Sequence, residues 1–221
     1  TVQANPACPA TSEIIEVAPA GTNGTHGLWR GFVDGDWMKC ENWDDAQIPT
    51  STTDVQVVQS GSKPIFTPLD ASTIPTTTVQ SFTLNVPDAK EITSQLGNVL
   101  TVTDYLSLID GRFPTNVVGK VYVSNNAANA VRDHNTACSG ASDGYVNGRL
   151  ERAITGSTDY DFPVGTSSKY RLIVAEFNSN PAPGISRLLA NYWDSGKGAA
   201  PQTNENTFNW QDWLVPNGYM R

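Results

Sequence analysis

The sequence has few charged side chains, and most of those are acidic. Charged residues make up 16% of the chain, and the formal net charge is −8. No cluster of Lys and Arg stands out that could neutralise a phosphate backbone or bind an acidic membrane surface. We therefore expect no nucleic-acid partner.

Cysteine and histidine are scarce as well. The chain has three cysteines and two histidines, and no two cysteines form a C-x-x-C pair, so we expect no zinc site. The simplest count is one disulfide and one remaining thiol. We predict that Cys8 pairs with Cys40, because both flank the same N-terminal segment, and a Cys40–Cys138 bond is the alternative.

Long apolar runs are missing too. No stretch of about 20 apolar residues exists, so we expect no membrane span. The chain begins with Thr1 rather than Met, which favours a mature exported protein whose signal peptide has been removed. We therefore expect an extracellular or cell-surface location.

Apolar patterns with a helical period are nearly absent. The best candidate is residues 185–193, where Ile185, Leu188, Leu189 and Tyr192 would fall on one helical face. We interpret this segment as a helix, with a strand as the alternative.

Strand patterns, in contrast, are frequent and regularly spaced. Short apolar runs separated by Gly, Asn, Asp or Pro recur about every 20 to 25 residues in the middle of the chain. They cover residues 12–19, 53–60, 78–86, 98–111, 119–126, 144–154 and 169–177. This pattern predicts a mostly β fold, a right-handed β-helix-like stack, with a β-sandwich as the alternative.

A stack of this kind needs caps, because one coil cannot bury its apolar face alone. We predict an N-terminal strand and Trp-rich cap over residues 1–50 and a β-solenoid-like core over residues 51–158. Residues 159–221 would form a C-terminal β or cap region, and the three parts would make one compact unit.

Several short motifs occur in a fixed order along the chain. They are W-x-G at Trp29 and Gly31, D-W at Asp36 and Trp37, N-W at Asn42 and Trp43, I-P at Ile48 and Pro49, D-V-Q-V at 54–57, P-I at 64–65 and Y-D-F-P-V-G at 160–165.

This order resembles that of secreted surface proteins of Bacteroidetes, which continue with β-solenoid-like rungs, and the resemblance covers residues 29–177. It implies a solenoid-like module of a large exported protein, often an adhesin, without enzyme activity.

Three tryptophans mark the most distinctive segment. Trp29, Trp37 and Trp43 follow one another at spacings that fit no single helical face. We predict a loop-rich cap in which the indoles cover the end of the stack, since each indole buries a large area. The alternative is an exposed platform on which the indoles stack against surface glycans.

Carboxylates crowd the same segment. Asp34, Asp36, Asp44 and Asp45 are candidate ligands for calcium, because oxygen-rich loops bind this ion. The spacing of an EF-hand loop is missing, and Asp side chains in turns also cap backbone amides without a metal. We expect no other cofactor.

No pattern of catalytic residues stands out. Asp159 and Asp161 lie two residues apart, and we interpret them as a turn and a strand entry rather than as a glycosidase pair. His26 and His134 have no nucleophile motif beside them. We therefore predict that the protein is not an enzyme.

The sequence as a whole favours a non-catalytic structural or adhesive module of an exported surface protein or extracellular filament. The alternative is a carbohydrate-binding module of a larger secreted protein. The N-terminal run, residues 12–19 (SEIIEVAP), carries Ile14, Ile15 and Val17. We expect it to pair with an exposed sheet edge, either within its own fold or in a neighbouring copy, which would make the protein self-associate.

Overall fold

The chain forms a β-solenoid of about four turns, which confirms the predicted mostly β stack. A computed structural model describes residues 24–87, 91–136, 143–167, 169–177, 186–191 and the backbone of 218–220. Among these residues, no helix is long and apolar enough to cross a membrane. The predicted division at residues 50 and 158 stays a prediction.

Fourteen strands lie in the described parts of the chain. They are β1 (Asp54–Val58), β2 (Thr77–Val79), β3 (Ser81–Asn85), β4 (Val99–Val102), β5 (Leu106–Asp110), β6 (Arg112–Pro114), β7 (Lys120–Val123), β8 (Val131–Arg132), β9 (Tyr145–Asn147), β10 (Arg149–Ala153), β11 (Tyr160–Thr166), β12 (Lys169–Phe177), β13 (Arg187–Asn191) and β14 (Gly218–Met220). Short 3-10 turns occur at Cys40–Asn42, Ala71–Thr73 and Ala128–Ala130.

The strands form three sheets that run along the stack. The first sheet is β1-β3-β5-β8, and all of its pairs are parallel. The second is β2-β4-β7-β10, followed by the antiparallel strand β13. The third is β6-β9-β11, followed by the antiparallel strands β12 and β14. Parallel stacking therefore gives way to antiparallel pairing at the C-terminal end.

Apolar side chains at matching registers fill the inside of the stack. In the first sheet Val55 is aligned with Phe82, Phe82 with Leu106, and Leu106 with Val131. All four side chains are buried. Since burial of one such side chain stabilises a fold by about 1.5–3 kcal/mol, this repeated stacking is the main source of stability.

Single residues form the corners between sheets. Gln80 separates β2 from β3, Gly111 separates β5 from β6, and Gly148 separates β9 from β10. Gly111 has φ 97° and Gly148 has φ 133°, a region that L side chains rarely adopt. The runs predicted at 78–86 and 144–154 are therefore each split between two sheets.

The helix predicted over residues 185–193 is wrong. Residues 187–191 form β13, which pairs antiparallel with β10 so that Leu189 is aligned with Glu151. Without β13, strand β10 would leave an unpaired edge at the end of the second sheet. Pairing with this edge gives residues 187–191 backbone hydrogen bonds that outweigh their weak helical pattern. The strand that the sequence allowed as an alternative is therefore present.

Candidate functional site: the N-terminal cap

The described part of the cap, residues 24–50, continues the stack as a partial extra turn. The Trp29 amide donates to the Gln56 carbonyl and the Gln56 amide to the Gly27 carbonyl, each at 2.9 Å. Further along, the Asp70 amide donates to the Gly35 carbonyl at 2.9 Å. The chain then reverses at Cys40–Asn42, and the segment returns against its own first half.

The three indoles form one buried cluster at this end of the stack. Trp29, Trp37 and Trp43 are at most 1% exposed. Trp43 meets Trp29 and Trp37 edge to face, with ring centroids 5.0 and 4.8 Å apart. The Trp43 indole N–H donates to the Trp37 carbonyl at 3.0 Å. The indoles cover the end of the core, which agrees with the favoured interpretation of this segment and not with its alternative, an exposed platform for glycans.

Asn42 organises the loop that carries these rings. Its side-chain oxygen accepts from the amides of Val33 and Asp34 at 2.9 and 3.1 Å. Its amide nitrogen donates to the Asp34 carboxylate at 2.8 Å and to the Asp36 carbonyl at 2.9 Å. This fully buried side chain therefore satisfies four groups of the loop. The N-W motif marked the residue in the sequence, but not this role.

The carboxylate of Asp44 is surrounded by donors rather than by other carboxylates. It accepts from the Thr25 amide at 2.7 Å, from Arg30 at 2.6 Å and from Lys63 at 3.4 Å. Burial alone would raise its pKa, but the Thr25 amide and the two cations outweigh that effect and hold the pKa below its usual range.

The other predicted calcium ligands are also bound to protein groups. Asp45 contacts His26 at 2.6 Å, and Asp34 pairs with Lys39, whose hydrogen bond lowers the pKa of Asp34 to about 2. Asp36 accepts a backbone amide two residues along the chain at 2.9 Å. In the described ranges, no three His, Cys, Asp or Glu side chains come together as a metal site. Calcium binding at Asp34, Asp36, Asp44 and Asp45 stays a prediction.

The cap also carries exposed apolar side chains that the sequence analysis did not single out. Phe32, Val33 and Phe66, here called the cap patch, are 50%, 58% and 53% exposed. The two phenyl rings lie 5.3 Å apart, and the Arg30 guanidinium lies 4.9 Å from the Phe32 ring and 5.5 Å from the Phe66 ring. Arg30 thus connects the cap patch to Asp44.

A second polar cluster lies near the C-terminal end of the stack. His134 Nε2 lies 3.0 Å from Asp161, whose pKa is lowered by this contact and by the charge of Arg152. Arg152 is fully buried and donates to the carbonyls of Asp161, Ala127 and Ala128 at 2.7, 3.0 and 2.8 Å. These bonds connect β10 to β11 and to the 3-10 turn Ala128–Ala130, so the cluster has a structural role.

A depression of about 230 Å³ lies beside the third sheet. Among the described residues that line it, Glu91 is the sole carboxylate, and it forms an ion pair with Arg112. Hydrolysis of a glycosidic bond usually needs two carboxylates that face each other across a cleft. The depression therefore has no such pair among its described lining residues.

A comparison of the chain with protein-family models, with curated proteins and with solved structures finds no match. Cys8 and Cys138 lie outside the described residues, so the disulfide pairing with Cys40 stays a prediction.

Proposed function

We propose that the chain is a non-catalytic structural or adhesive module of an exported surface protein or extracellular filament. The observation that carries this proposal is the construction of the solenoid, in which three sheets run along the stack. The buried tryptophans cover one end, and antiparallel strands finish the second and third sheets at the other.

This construction suits a stiff spacer. Each added turn extends the ladders of backbone hydrogen bonds by one strand spacing of about 4.8 Å and buries another layer of apolar side chains. Buried rather than exposed indoles also favour the structural role over a carbohydrate-binding module that would use these residues. Surface glycans and a neighbouring copy, joined through the N-terminal run, remain the two partner hypotheses.

The chemistry of the polar groups supports a role without catalysis. The carboxylates of the cap and of the depression bond to Arg, Lys, His and backbone amides. In the cap, this pairing lowers the pKa of Asp34 and of Asp44, whereas a general acid must carry a proton near neutral pH.

The motif residues shared with secreted Bacteroidetes surface proteins support membership of that group. Asn42 and Trp43 form the interior of the cap. Gly31 has φ 61°, and a side chain there would collide with the backbone of Thr67. A cap of this construction therefore requires the W-x-G and N-W pattern. If the chain is a module of an exported surface protein, as proposed, its location is extracellular.

Imaging of the native material tests the proposal. We expect electron microscopy and size-exclusion chromatography to find the chain within filaments or within a long surface protein. A matched sample should cleave no member of a glycan panel. Glycan hydrolysis, or a native monomer that binds a sugar and joins no larger assembly, would contradict the proposal.

A further inference from the structure

The depression beside the third sheet is built from successive turns of the solenoid. Pro114 of β6 is aligned with Asn147 of β9, and Leu96 is aligned with Thr115. Gln95, one residue before Leu96, therefore lies beside Pro114. Because Leu96 and the chain neighbours of Pro114 and Asn147 are turned into the stack, strand alternation places Gln95, Pro114 and Asn147 in one row on the outer face. All three residues of this row line the depression.

Two side-chain amides thus lie on either side of a proline ring. With about 4.8 Å between neighbouring strands, the backbone positions of the two amides are about 10 Å apart. Within the described ranges, neither the Gln95 nor the Asn147 side chain forms a hydrogen bond. Each amide has two N–H donors and one oxygen acceptor. The row therefore presents both kinds of hydrogen-bonding group to a ligand.

The charges in the depression balance each other. Arg112 Nε lies 2.7 and 2.8 Å from the two carboxylate oxygens of Glu91. No other charged side chain is found among the described lining residues. Ile92 and Pro114 add apolar surface to the lining. A neutral ligand that combines hydroxyl groups with apolar C–H surface fits this lining better than an ion does.

The volume of the depression, about 230 Å³, limits the size of that ligand. Sites for drug-sized molecules enclose about 300–1,000 Å³, so this depression takes a smaller group. A single pyranose ring has the required chemistry. Its hydroxyls both donate and accept hydrogen bonds, and its ring C–H groups form an apolar face that packs against a proline ring.

We propose that the depression binds one neutral sugar residue of a surface glycan. Gln95 and Asn147 bond to the sugar hydroxyls, and Pro114 packs against the sugar ring. The inference rests on the proposed function, because it gives an adhesive module the site for its glycan partner. Since Glu91 is the sole carboxylate among the described lining residues, the sugar is bound and not cleaved.

NMR spectroscopy of the full chain tests the proposal. The neutral probes are the methyl glycosides of glucose, galactose and mannose, and N-acetylneuraminic acid is the charged probe. We expect at least one neutral probe to bind with a Kd on the order of 1 mM, as suits so small a ligand. Binding should shift the side-chain amide signals of Gln95 and Asn147. Gln95→Ala and Asn147→Ala should each weaken binding about fivefold, the effect of losing one hydrogen bond.

Asn129→Ala is the matched control, because Asn129 is an exposed amide in the 3-10 turn Ala128–Ala130 and does not line the depression. Its Kd should equal that of the unchanged chain, and tryptophan fluorescence verifies that each variant is folded. Three results would each overturn the proposal: no binding of a neutral probe, stronger binding of the charged probe, or binding that leaves the Gln95 and Asn147 signals in place. Filaments formed by a chain that binds no sugar would overturn this inference alone and leave the proposed function intact.

Discussion

A single buried amide, that of Asn42, holds the loop of the cap in shape. We predict that Asn42→Ala lowers the free energy of unfolding by about 3 kcal/mol, because it leaves the amides of Val33 and Asp34 without their acceptor. Urea unfolding followed by tryptophan fluorescence measures the loss. Gln47→Ala, an exposed change in the same cap, should be neutral. A loss below about 0.5 kcal/mol in Asn42→Ala, the range of an ordinary surface change, would refute this role.

The carboxylate of Asp161, near the C-terminal end of the stack, should make the stability of the fold depend on pH. The hydrogen bond from His134, helped by the charge of Arg152, holds its pKa below the ordinary value. Such a group stabilises the fold above its unfolded pKa of about 3.9, and the contribution is lost as the pH falls through the folded pKa. We therefore expect Asp161→Asn to cost about 1–2 kcal/mol at pH 7 and progressively less below about pH 4.

Unfolding measured at pH 7 and at pH 3 checks this expectation. Asp159→Asn provides the control, because Asp159 is exposed and lies two residues away. The control should differ little from the unchanged chain at either pH. If Asp161→Asn shows the same deficit at both pH values, the carboxylate does not act through its charge.

At the scale of elements, the sequence predicted most strands but not every corner between them. Alternating runs such as 53–60 and 169–177 correspond to β1 and β12, because alternation is the direct signature of a strand with one buried face. The corner at Gln80 carries no comparable signal. The sheet to which a strand belongs depends on its pairing with strands of the neighbouring turns of the solenoid. A local sequence pattern carries no information about that pairing.

Prediction from local sequence patterns was limited in the same way for the cap. Its tryptophans were recognisable from the sequence, and their burial was the favoured interpretation. The partners of Asp44 and Asp45 could not be predicted, because Arg30, Lys63 and His26 approach these carboxylates from other parts of the chain. The cap patch was missed because Phe66 lies far from Phe32 in the sequence and meets it only in the fold.

The hairpin of β11 and β12 offers a test of the element that closes the third sheet. A side chain at Gly165 would collide with the Lys169 carbonyl and lie 2.7 Å from the Tyr145 ring. We predict that Gly165→Ala lowers the free energy of unfolding by at least about 1–3 kcal/mol, the usual cost of overpacking. At the size of this chain, that corresponds to a fall of several degrees in Tm.

Gly61→Ala is the matched control, because a side chain at Gly61 meets nothing within 4 Å. Thermal unfolding followed by circular dichroism should separate the two variants. Equal Tm values would mean that the hairpin shifts to accept the extra methyl group and that the close approach of β12 is not required.

At the scale of the whole molecule, the height of the stack discriminates between the two disulfide pairings. The Leu28 bridge to Gln56 and the order β1-β3-β5-β8 place four strand spacings between the cap strand and β8, which amounts to about 19 Å. Cys40 belongs to the cap, whereas Cys138 follows β8 by six residues. A disulfide requires Cα atoms within about 7 Å.

Thr136 lies in the loop that follows β8 and precedes Cys138 by two residues. Two residues extend the chain by at most about 7 Å. The Cys40–Cys138 bond would therefore have to bridge most of the stack, whereas Cys8 precedes the cap in the sequence. We predict that Cys40→Ser and Cys8→Ser each lower the free energy of unfolding by about 3–4 kcal/mol, the value for a closed loop of this length. Cys138→Ser should be neutral.

Denaturant unfolding of the three variants measures the change in stability, and mass spectrometry of an unreduced digest identifies the pairing. A Cys40–Cys138 peptide in the digest would contradict the prediction, and so would equal losses in Cys40→Ser and Cys138→Ser. Either result would mean that Cys40 is bonded to Cys138 rather than to Cys8.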